Sequence, residues 1–66
     1  MRDPNRLNNF YDTMKNIHKK SFPDWRFGQF MFNFTRWLYI AKEVDIFYPE
    51  EDKMIFYLKE FANAHS

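Results

Sequence analysis

Residues 23–42 read PDWRFGQFMFNFTRWLYIAK, and seven of these twenty side chains are aromatic. At 100° per residue, Phe27, Phe30, Met31, Phe34, Leu38 and Ala41 fall on one stripe, as on a helix with a core-facing side. Asp24 directly after Pro23 has the character of an N-cap, so the pattern predicts a helix over about 25–42. The opposite side is not polar in the ordinary way. Trp25, Phe32 and Tyr39 repeat there every seven residues, with Gln29 and Arg36 between them and Ile40 alongside. A helix apolar on most of its circumference is either central in its fold or uses its second face for a partner.

On the N-terminal side, Leu7, Phe10, Tyr11, Met14 and Ile17 recur at helical spacing, and His18 extends the series. Asp3-Pro4 supplies an N-cap residue followed by proline at a position that tolerates it. Lys15, Lys19 and Lys20 crowd the far end, where cations offset the negative pole of the helix. Phe22-Pro23 stops the helix, because the residue before proline is pushed out of the α region. A first helix over about 4–20 follows. On the C-terminal side, Pro49-Glu50-Glu51-Asp52 opens a helix over about 50–64, with carboxylates at its positive pole. Met54, Tyr57, Leu58 and Phe61 form its inward face, Ile55 and Ala62 flank it, and Phe56 points away. Residues 43–48 contain Val44, Ile46, Phe47 and Tyr48, but a lone strand would have nothing to pair with. They read as an extended, partly buried linker. The expectation is one all-α domain over 1–66, a compact three-helix bundle with helix 2 central.

Composition sets the limits. A chain of 66 residues is marginal as a single-core fold unless something reinforces it. No cysteine is present, which excludes a disulfide and a thiolate zinc site. Heavy aromatic packing and self-association remain as reinforcements. A formal net charge of +1 with 45% hydrophobic residues is far from the composition of disordered chains. One glycine cannot build a glycine-rich phosphate loop. The hydroxyls Thr13, Ser21, Thr35 and Ser66 stand in no recognisable relation to a histidine. His18 and His65, with carboxylates such as Asp12 or Glu60, make a poor metal set, because His18 near a helix end is explained by the dipole and packing and His65 lies at the terminus. The expectation is therefore no enzyme, no cofactor and no metal. The start Met1-Arg2-Asp3-Pro4-Asn5-Arg6 lacks an apolar signal segment, and no run is long enough to span a bilayer. A cytoplasmic location is expected.

Pro23-Asp24-Trp25-Arg26-Phe27-Gly28-Gln29, with Asn33 four residues on and Asp45-Ile46-Phe47-Tyr48 before Glu50-Glu51-Asp52, resembles a family of small, largely uncharacterised proteins of bacteria, phages and prophages. The resemblance runs from about Arg6 to Phe61 and departs at Pro49, within the acidic stretch. It implies a small helical fold without an assigned activity. A phage-type accessory protein would act in the host cytoplasm.

Two sets of residues stand out. Arg26, in the predicted first turn of helix 2, opposes the helix dipole, and a carboxylate of Glu51 or Asp52 is its expected partner. The other reading makes Arg26, Gln29 and Asn33 a polar strip presented to a ligand. The second set is Trp25, Phe32, Arg36 and Tyr39, with Phe56 added from helix 3. Aromatic residues and Arg are favoured at interface centres, because they bury large areas with few rotatable bonds. Either helix 3 or the 43–48 linker covers this face as ordinary core, or the face meets a partner. The leading expectation is a small, non-enzymatic protein-binding module, of phage accessory type, that inhibits or modulates a host protein of defence, replication or transcription. The alternatives are a nucleic-acid-binding accessory protein, using the six Lys/Arg of residues 1–26, and a homodimeric structural protein.

Overall fold

A computed structural model describes residues 2–65 of the chain, and Ser66, counted among the hydroxyls, lies outside them. Three helices form: α1 (Arg6–Ser21), α2 (Phe27–Lys42) and α3 (Glu51–His65). There is no strand among the described residues. None of the three helices is long and apolar enough to cross a membrane.

Each helix begins slightly later than expected, for a local reason. Asp3 Oδ1 accepts the Asn5 N–H at 2.9 Å. The Arg6 and Leu7 N–H groups donate to the carbonyls of Asp3 and Pro4, a tight turn that precedes the regular helix. Before α2, the Trp25 N–H donates to the Phe22 carbonyl at 3.1 Å, so Pro23 and Asp24 form the middle of a β-turn. Asp24 is thus not the N-cap. Arg26 takes that position, and Gln29 Oε1 accepts its N–H at 2.9 Å, half of a capping box. At α3, Glu50 rather than Pro49 precedes the first helical residue, and its carbonyl accepts the first helical bond, from the Met54 N–H at 2.9 Å.

The core has one partner set from each of α2 and α3. Phe30, Phe34 and Leu38 of α2 face Met54, Leu58, Phe61 and Ala62 of α3, and Phe22 closes the end before α2. Helix α2 supplies three of the five side chains that are almost wholly buried, Phe30, Phe34 and Leu38. Helix α3 is the element against which both others pack; α1 lies along α3 and meets α2 at His18, whose ring lies 4.8 Å from that of Phe30. Helix α1 buries no residue completely, although Phe10, Met14 and Ile17 pack against the core from the side. Two side chains that phasing placed inward, Phe27 and Tyr11, border an open groove between α1 and α2 and stay 61% and 55% exposed. Ala41 is exposed as well.

Phe61 is the hub of the aromatic packing. Its ring centroid lies 5.2 Å from Phe22, 5.5 Å from Phe34 and 5.4 Å from Trp37. The Phe34 ring meets it edge-on and the other two are tilted, and such non-sandwiched pairs add to plain area burial. Helix α2 ends at Glu43, whose φ of 56° is the left-handed conformation usually given to glycine. The Glu43 N–H donates to the Tyr39 carbonyl and the Val44 N–H to that of Leu38, which satisfies the last turn.

Candidate protein-binding face

The outward side of α2 begins two residues from the core. Helical phasing turns Phe34 inward and Phe32 outward: Phe34 is 1% exposed and Phe32 65%. Tyr39 and Ile40 share the outward side at 68% and 65%. Arg36 stands among them, also exposed, and has no ion-pair partner among the described residues. Neither α3 nor the connection after α2 covers this side.

Arg36 divides two open grooves. On one side Phe32, Thr35, Arg36 and Tyr39 of α2 face residues 44–47 across a volume of about 390 Å³. The connection is shaped by Asp45, whose Oδ1 accepts the Phe47 N–H at 3.0 Å while its carbonyl accepts the Tyr48 N–H. Val44 and Ile46 pack on the core, and Phe47 and Tyr48 are left 88% and 81% exposed. The expected partly buried linker therefore holds for Val44 and Ile46 only. On the other side of Arg36, a cleft of about 400 Å³ is bounded by Trp25, Asn33, Trp37, Ile40, Phe61 and His65.

Two of the expected face residues lie elsewhere. Trp25 belongs to the turn before α2, half-buried, stacked on Phe22 with centroids 4.3 Å apart and planes 6° from parallel. Its carbonyl accepts the Nε2–H of His18 at 2.7 Å. The seven-residue repeat thus loses its first member to the core, because the β-turn takes Trp25 off the helix. Trp25 reaches only the rim of the second cleft. Phe56 of α3 borders neither groove. It is 52% exposed, beside Tyr57, with the Lys53 ammonium 5.0 Å above its ring.

The ion pair expected for Arg26 does not form. Glu51 is held by Arg6 Nε at 2.7 Å, and Glu50 by Arg2 Nη2 at 2.6 Å. Asp52 turns its Oδ1 to the Lys53 N–H. Arg26 lies at the far end of the molecule for a simple reason. Phe22 and Trp25, at the turn before α2, pack on Phe61 near the end of α3, so the start of α2 lies away from Glu51 at the start of α3. The Arg6 hydrogen bond outweighs desolvation and lowers the Glu51 carboxyl below its ordinary value, with smaller favourable contributions from its own backbone and the charges of Arg6 and Arg2. The polar strip does not assemble either. Arg26 precedes the helix, Gln29 is engaged in capping, and only Asn33 faces a cleft.

The histidines are occupied by backbone. His65 Nδ1–H donates to the Phe61 carbonyl at 3.0 Å, as His18 does to Trp25. Among the described residues no three His, Cys, Asp or Glu side chains gather as a metal would require. Three of the six N-terminal cations are in ion pairs, since Lys15 lies 3.9 Å from Asp12. No family model, curated protein or solved structure matches the chain.

Proposed function

We propose that the chain is a small, non-enzymatic protein-binding module that acts by placing the outward side of α2 against another protein. The observation that carries this reading is the contiguous exposed set Phe32, Tyr39, Ile40 and Phe47 around the unpaired Arg36. Apolar patches of this size on soluble chains mark interaction sites, and aromatic residues with a central Arg are what interface centres favour. Stoichiometric binding of this kind needs no active site. The engagement of Arg2, Arg6 and Lys15 with carboxylates supports a protein partner over nucleic acid, whose affinity rests on free cations.

The resemblance to small phage and prophage proteins supports a narrower form of the reading. In it, the module is a phage-type accessory protein that inhibits or modulates a host protein of defence, replication or transcription in the bacterial cytoplasm. The test is affinity capture from bacterial lysate followed by mass spectrometry, with the wild type beside a Phe32→Ala/Tyr39→Ala variant. The variant is expected to lose a partner that the wild type holds while keeping its helical circular dichroism. Identical capture by both proteins would contradict the reading.

A further inference from the structure

We infer that the groove between α2 and residues 44–47 takes a second copy of this chain, the two copies related by a two-fold axis. The inference names the partner of one half of the proposed binding face, and it rests on that reading. The groove is self-complementary. Phe32, Arg36 and Tyr39 stand on the helical wall, and Asp45 and Phe47 on the opposite wall. A two-fold axis through the groove brings Phe32 of each copy to Phe47 of the other and Arg36 of each copy to Asp45 of the other. Isologous pairing requires such a patch, on which every group finds its complement in the same surface.

Charge and area both favour this occupant. Among the described residues neither Arg36 nor Asp45 has an ion-pair partner, although each lines the same groove. One oxygen of Asp45 is used by the Phe47 N–H, which fixes the carboxylate at the rim. Phe32, Tyr39 and Phe47 are 65%, 68% and 88% exposed. At about 200 Å² per aromatic side chain, they offer roughly 450 Å² per copy. Two copies together offer about 900 Å² from these rings, close to the ~1,000 Å² that a specific interface needs before the polar rims are counted. Association also reinforces a chain of 66 residues without disulfides, in which α1 fully buries nothing. A net charge of +1 does not oppose it. A foreign protein that contacts Phe32 and Tyr39 competes with the second copy for this groove.

Sedimentation equilibrium of the full chain from low micromolar to millimolar concentration tests the inference, with circular dichroism confirming that each variant is helical. The wild type is expected to pass from monomer to dimer. Arg36→Asp and Asp45→Arg should each raise the dimer dissociation constant at least about tenfold, because like charges then face each other across the axis. An equimolar mixture of these two variants should associate again, since each contact once more joins opposite charges. A wild type that stays monomeric throughout would overturn the inference. So would a dimer indifferent to both charge reversals, or a mixture that fails to re-associate. Failure here is separable from failure of the broader reading. A persistent monomer whose Phe32→Ala/Tyr39→Ala variant still loses a captured protein refutes the second copy and keeps the binding module, whereas a persistent monomer with unchanged capture refutes both.

Discussion

Phe32 and Phe34 are the same side chain two positions apart on one helix, at 65% and 1% exposure. Phe34 sits within reach of Phe61 and Trp37 in the aromatic core, and Phe32 stands on a groove wall open to solvent. The difference teaches how an aromatic-rich chain without cysteine divides its large side chains. One set supplies the packing that a short chain needs, centred on Phe61. The other is spread over the far side of α2 and the connection after it, where it contributes area to a partner and little to the fold.

The contrast breaks first if the core set is not where stability resides. Phe61→Ala and Phe34→Ala should each cost about 3–5 kcal/mol, comparable with the whole stability of so small a domain, and urea unfolding should find both largely unfolded. A loss under about 1 kcal/mol would show that the aromatic hub is dispensable. Trp25 tests the boundary between the two sets, because it stacks on Phe22 yet touches the rim of a cleft. Trp25→Ala should cost about 1–3 kcal/mol, between the two extremes, in the same measurement. An unaltered midpoint would return Trp25 to the binding face.

Smaller effects sharpen the picture at the helix ends. Glu43→Gly relieves a left-handed side-chain residue and should raise stability by up to about 1 kcal/mol, read as a higher urea midpoint. A lowered midpoint would mean that the Glu43 side chain contributes more than its conformation costs. The smallest effect concerns acid. Glu51 has a lowered folded pKa, so its contribution is complete above the ordinary carboxylate value and disappears as pH falls through the folded one. Melting curves taken below about pH 4.3 should therefore decline more steeply for the wild type than for Arg6→Ala, which lacks the hydrogen bond from Arg6. Identical acid limbs would remove Arg6 from this role.

Much of the fold was legible because helical period and proline are strong local signals. The three helices lie within two residues of their expected bounds, and Phe30, Phe34, Leu38, Met54, Leu58 and Phe61 face inward as phasing requires. The failures come from relations between elements. Pairing Arg26 with Glu51 overlooked that the turn before α2 packs on Phe61, which leaves ten residues of α3, about 15 Å of helix, between Arg26 and Glu51. Trp25 was misplaced because a Pro23-Asp24 turn absorbs residues that a helix count assigns to α2. Phe27 and Tyr11 depended on how α1 crosses the other helices, which no single-helix pattern contains. Phe47 was within reach: Val44 and Ile46 turn inward and Asp45 and Phe47 outward, an alternation of period two that the sequence displays. Of the candidate face, Phe32, Arg36 and Tyr39 come together as phasing indicated, whereas Phe56 lies apart because α3 turns it to another side.

The central claim is that the outward aromatics of α2 serve binding and not folding. Urea unfolding of Phe32→Ala/Tyr39→Ala, at a protein concentration low enough to keep the chain monomeric, tests it most directly. The double variant is expected to unfold with a free energy within about 1 kcal/mol of wild type, as for exposed positions. A loss of about 3–5 kcal/mol, the range expected of Phe34→Ala, would place Phe32 and Tyr39 in the core and contradict it.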